Sequence, residues 1–127
     1  MQSLHPQLTG FLEGLCAASV TCYPEYGMFL CGPYFGEEIR SQPSLANSAG
    51  KPELEKFFLC ALSDSSAARP QEATYVVERF LEYFQRFHPD AKLHFEIPET
   101  RGWFDGLEVW LNAPSGAAYF FLDWSVS

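Results

Sequence analysis

Two hydrophobic periods run through this chain, and the switch between them is sharpest from residue 70 to residue 97. Ala73, Val76, Val77, Phe80, Leu81, Phe84 and Phe87 recur at steps of three and four, while Glu72, Glu78, Arg79, Glu82, Gln85 and Arg86 fall on the other side. That spacing predicts one amphipathic helix. Pro70 suits its first turn, and Glu72 lies at the positive end of its dipole. The helix stops at His88-Pro89, because proline disfavours helical geometry in the residue before it. The period then becomes two: Leu93, Phe95 and Ile97 point one way, and Lys92, His94 and Glu96 the other, as in a half-buried strand.

The rest of the chain is read around this unit. Leu4, Leu8, Phe11, Leu12, Leu15 and Cys16 predict a first helix over residues 3–20, weakened by Gly10 and Gly14. Residues 22–27 look like a turn, and Met28 to Cys31 like a short buried strand that Gly32-Pro33 breaks. A helical turn near residues 36–40 and an exposed loop over 41–50 follow. Leu54, Phe57, Phe58, Ala61 and Leu62 favour a helix over residues 51–62, although the run 57–62 would also serve as a buried strand. Residues 64–69 form a polar connector, and residues 98–102 a turn. Leu107, Val109 and Leu111, then Ala118, Phe120, Leu122 and Trp124, alternate as two strands joined by a hairpin around Pro114.

The expected fold is therefore α+β. N-terminal helices pack as a single layer on a C-terminal antiparallel β-meander of three or four strands, and residues 1–127 form one compact domain. A hairpin loop at residues 113–116 pairs Trp110 with Tyr119, Glu108 with Phe121 and Val109 with Phe120. The face with Val109 and Phe120 then suits the helices. The opposite face carries His94, Glu96, Glu108, Trp110, Tyr119, Phe121 and Asp123.

Charge changes what that second face implies. Sixteen acidic residues against eight basic ones give a formal net charge of −8, which repels phosphate backbones and excludes nucleic acid as the expected partner. No signal-peptide pattern and no apolar run of membrane-spanning length are present, so a cytoplasmic protein without membrane contact is expected. The four cysteines, at 16, 22, 31 and 60, are then expected to be reduced, with 16, 31 and 60 in the core and 22 nearer the surface.

Catalytic and cofactor signatures are missing. Gly50-Lys51 would need glycine at 45 and Ser or Thr at 52 to make a phosphate loop, but Leu45 and Pro52 stand there. The cysteines lack Cys-x-x-Cys spacing, so no metal and no cofactor are expected. His88 is placed as a partly positive cap at a helix C-terminus. His94 and Glu96 share a strand face and form the one candidate acid–base pair.

Aromatic residues interleaved with carboxylates suit a surface for a basic partner, with anchors supplied by the rings and steering by the acids. The candidate partner-binding residues are Glu96, Glu108, Trp110, Tyr119, Phe121 and Asp123, with the alternative that the N-terminal helices cover Trp110, Tyr119 and Phe121 as a second core layer. The expected function is a small acidic binding protein, not an enzyme, that neutralises a basic protein. In size and charge the chain resembles the bacterial immunity proteins that inhibit a cognate toxin. Two alternatives stand beside it: an adaptor or chaperone for a secreted protein, and a small enzyme or ligand-binding domain using His94 and Glu96.

Overall fold

A computed structural model describes residues 4–19, 28–36, 48–62, 70–100, 103–114 and 116–126. Among the described residues three helices, α1 (Pro6–Ser19), α2 (Lys51–Leu62) and α3 (Pro70–Phe87), accompany six strands: β1 (Met28–Phe35), β2 (Lys92–Glu96), β3 (Glu99–Thr100), β4 (Trp103–Phe104), β5 (Gly106–Ala113) and β6 (Gly116–Val126). The main sheet is antiparallel in the order β1-β6-β5-β2, and β3 and β4 form a separate ladder. The architecture is α+β. No described helix is long and apolar enough to cross a membrane.

The helix-to-strand unit at the centre of the chain forms as its periodicity requires. Val77, Phe80 and Phe84 on α3 are fully buried, and so are Leu107, Val109, Leu111, Phe120 and Leu122 on the facing side of β5 and β6. Phe80 meets Phe58 of α2 and Phe95 of β2, with ring centroids 5.6 and 5.7 Å apart. Residues 51–62 are helical, as their stripe favours. Gly50 N–H donates to Glu53 Oε2 at 2.9 Å, so the Glu53 side chain reaches back to satisfy an orphan donor at the helix start. The pairs Trp110–Tyr119, Glu108–Phe121 and Val109–Phe120 are those that the hairpin loop dictates.

One expectation needs correction and another refinement. Gly32-Pro33 does not end β1: the strand continues to Phe35 through a cis peptide and a register shift between Cys31 and Tyr34. The placement explains the tolerance, because β1 is an edge strand and a bulge accommodates a residue without an N–H. The reading of residues 98–102 as a turn is refined in its described part, where Glu99 and Thr100 pair with Phe104 and Trp103, while residues 101 and 102 lie outside the described residues. β1 thus joins the sheet between α1 and α2 in sequence. Ser19 ties it to α1: its hydroxyl donates to the Cys16 carbonyl at 2.7 Å and accepts the Leu30 N–H at 2.8 Å. The turn at 22–27, the helical turn at 36–40, most of the loop after it and the connector at 64–69 lie outside the described residues.

Candidate functional site

All the candidate partner-binding residues fall on the sheet face turned away from α3. Cross-strand pairing sets them in two rows. One runs His94–Trp110–Tyr119, and the next runs Glu96–Glu108–Phe121–Tyr34. Asp123 follows along β6. The rings touch in sequence: His94 to Trp110 at 5.3 Å, Trp110 to Tyr119 at 5.0 Å, Tyr119 to Phe121 at 6.0 Å and Phe121 to Tyr34 at 5.3 Å.

This face is open only in part. Trp110 and Tyr119, expected as anchors on the outer face, are 3% and 6% exposed, and His94 is wholly buried. Glu96, Glu108 and Phe121 are half-buried, and Asp123 is exposed. Exposure rises toward β1, where Tyr34 on this face stands 47% open and Phe35, which pairs with Phe120 on the helix-facing side, 52%. Those two aromatics are not among the sequence candidates, because Gly32-Pro33 hid the strand that carries them.

Two cavities open beside the carboxylates and share Pro98 as a wall. The smaller, about 190 Å³, is lined by Asp105, Glu108, Tyr119, Phe121 and Asp123 among others. Asp105 is held there by its backbone: its N–H donates to the Pro98 carbonyl at 2.8 Å, and its carbonyl accepts the Trp124 N–H at 2.9 Å. Gly106 comes next with φ of +154°, where a Cβ would run into the Leu122 carbonyl oxygen. Only glycine lets the chain turn from Asp105 into β5 this close to β6. Alternation along β5 could not have revealed Asp105, which precedes the strand.

The larger cavity, about 530 Å³, lies between the first turn of α2 and the end of β2. Glu53, Lys56, Glu96 and Glu99 line it together with Ala49, Ile97 and Phe104. Glu96 stands directly opposite Glu108, so two like charges face each other across β2 and β5, an arrangement that destabilises a sheet. Glu96 Oε1 lies 3.5 Å from His94 Nε2. The sequence candidates for acid–base work are therefore adjacent, with the imidazole on the buried side.

The other titratable groups depart from their expected roles. His88 is not a cationic cap. Its Nε2 accepts the His5 backbone N–H at 3.1 Å, and burial first, then His5, lowers its affinity for a proton. Cys16 is buried, and its thiol is pushed up to about 11 by that burial, with Cys31 and Glu13 adding to the shift. Cys60, expected in the core, is exposed, because it falls on the outer side of α2. None of Cys16, Cys31 and Cys60 is in a disulfide, and Cys22 lies outside the described residues. Among the described residues no three His, Cys, Asp or Glu side chains gather as a metal site. Comparison of the chain with protein-family models, with curated proteins and with solved structures finds no match.

Proposed function

We propose that this chain is a small acidic binding protein that neutralises a basic partner protein, in its sharpest form an immunity protein that inhibits a toxin. One observation carries the reading. The carboxylates of Asp105, Glu108 and Asp123 and the rings of Tyr119 and Phe121 line one cavity at the end of the sheet. Lysine and arginine side chains suit such a lining, because carboxylates supply charge-assisted hydrogen bonds and aromatic faces attract cations. The net charge of −8 adds long-range steering toward a basic surface. Half-buried Glu108 and Phe121 and exposed Asp123 make the contact, with the rings of Tyr119 and Trp110 packed beside them on the same face.

The test is affinity capture with the tagged chain at low and high salt, then reconstitution with the purified captured protein. A basic partner whose association rate falls steeply with added salt is the expected result. A partner with no basic surface, or one whose association ignores salt, removes this reading.

A ligand-binding domain is the second reading. It draws on the 530 Å³ cavity at Glu96, which is within the range of small-molecule sites. Stabilisation by a small molecule with no protein captured would favour it.

A further inference from the structure

The start of α1 is held on the end of α3 by histidine nitrogens that act as acceptors. His5 caps α1. Its carbonyl accepts the Thr9 N–H at 3.0 Å, and its Nδ1 accepts the Gln7 N–H at 3.1 Å, a donor that a helix start leaves without a partner inside the helix. The N–H of His5 itself donates to Nε2 of His88, 83 positions along the chain, at 3.1 Å. The His5 ring also lies flat on Phe87, with centroids 4.0 Å apart and planes 12° from parallel. The backbone of His88 is fixed on both sides: its N–H donates to the Phe84 carbonyl at 2.8 Å, and its carbonyl accepts the Ala91 N–H at 3.1 Å.

The contact between the two residues depends on a lone pair. A neutral imidazole has one acceptor nitrogen, so acceptance at Nε2 places the ring proton on Nδ1. An imidazolium has two N–H groups and no acceptor. Protonated His88 therefore turns a donor toward the His5 N–H, and attraction becomes repulsion. The surroundings act in the same direction, because burial, and after it His5, lower the affinity of His88 for a proton. Among the described residues, the titratable and charged groups about the ring are His5 from α1, Arg86 on α3, and exposed Asp90 and Lys92 beyond the turn. The guanidinium of Arg86 lies over the Tyr83 and Phe87 rings.

The neighbouring contacts set how far an opening can spread. Before His5 there is Leu4, buried in the core. After it, α1 stays anchored by Leu8 and Leu12, both fully buried, and by Phe11, whose ring meets Tyr83 at 4.8 Å. Ser19 then ties the far end of α1 to Leu30 at 2.8 Å. Loss of the His5–His88 bond thus frees the first residues and leaves the body of the helix in place.

We propose that His5 and His88 form a proton-operated latch between α1 and α3, closed while His88 is neutral and opened by its protonation, with the rest of the fold intact. Opening uncovers Phe87 and the buried Leu4, so an apolar strip at the end of α3 is accessible in acid and hidden at higher pH. Histidine suits this device because its charge changes under mild acidification. The latch is independent of what the chain binds.

The test follows the full chain by NMR as the pH is lowered. The ring signal of His88 should titrate below the ordinary imidazole value of about 6.5. Solvent exchange of the His5 amide, beyond its intrinsic pH dependence, should accelerate by roughly tenfold or more with the same midpoint. The amides of Val77, Phe80, Val109 and Phe120 should keep their protection through that step. The Gln side chain in His88→Gln can accept the His5 N–H but has no proton to gain, so the acceleration should vanish. If that variant does not fold, the wild-type midpoints decide alone. Unchanged His5 exchange, a midpoint different from that of the His88 ring, core protection lost in the same step, or acceleration that persists in folded His88→Gln overturns the proposal.

Discussion

The ring of Phe84, on α3, lies stacked on that of Phe120, on β6, with the planes 15° apart and the centroids separated by 6.2 Å. This contact joins the helical layer to the sheet near its middle, and both residues are buried to within 1%. Phe84 also meets Phe80 at 4.9 Å and Phe95 at 6.2 Å. Phe84→Ala should therefore destabilise by ~3–5 kcal/mol, the usual cost of removing a buried phenylalanine ring. Domain stabilities are only about 5–15 kcal/mol, so soluble yield should also fall. Urea melts of Phe84→Ala and Phe80→Ala check this, and near-wild-type midpoints for both would mean that α3 packs by another face.

Trp110 and Asp123 should separate folding from binding. Trp110→Ala empties a buried site and should cost ~3–5 kcal/mol in a melt. Trp110→Phe should cost well under that, because the indole N–H makes no hydrogen bond among the described residues. Asp123 is exposed, so Asp123→Lys should change stability by no more than about 0.5 kcal/mol. The same variant should slow association with a basic partner and reduce its salt dependence. Melts run beside stopped-flow association are the measurement, and unchanged association in Asp123→Lys counts against the proposed interface.

The glycines should respond in opposite directions. Gly106→Ala meets the Leu122 carbonyl and a φ of +154°, and the backbone strain alone should cost about 1–3 kcal/mol. Gly10 and Gly14, both exposed on α1, have open space where a Cβ would stand. Alanine at either should stabilise by roughly 0.5–1 kcal/mol, the difference in helix propensity. Thermal melts of the three single variants give the signs directly.

His88 gives the fold its own pH dependence. Burial and the neighbouring His5 lower its proton affinity in the folded state, so the unfolded chain binds the proton more readily. Stability from this group is fully present above the ordinary imidazole value of about 6.5. It is lost as pH falls from there through the lower folded value. Urea melts across that window should show a declining limb that is flatter in His88→Gln, and equal slopes would rule the assignment out.

How much of this could be read from sequence depended on whether a residue's neighbours were local. The stripe on α3 and the alternation of β2, β5 and β6 are properties of short windows. The loop at Pro114 fixed the register of β5 on β6, so the Trp110–Tyr119 and Glu108–Phe121 pairs of the candidate face followed. β1 was cut short because Gly32-Pro33 is a breaker in isolation, and its tolerance depends on an edge position that only the distant β6 defines. The burial of Trp110 stayed one of two open alternatives, since nothing in an alternating strand states which of its faces becomes covered. Asp105 entered the site through backbone hydrogen bonds to Pro98 and Trp124, which carry no side-chain signature.

The two ends of the sheet bear on how any partner must bind. On β2, the outward groups of Phe95 are both taken: its N–H donates to Ser48 Oγ at 3.1 Å, and its carbonyl accepts the Ala49 N–H at 2.7 Å. On β1, Pro33 lacks a donor, and the ladder slips register between Cys31 and Tyr34. Neither border presents an uninterrupted row of backbone groups, so a foreign strand has no template to extend and edge-to-edge aggregation is discouraged. Under the proposed binding function, recognition is then expected to work through side chains. Its selectivity should then be altered by point substitutions on the partner, which recognition by main-chain strand addition would largely ignore.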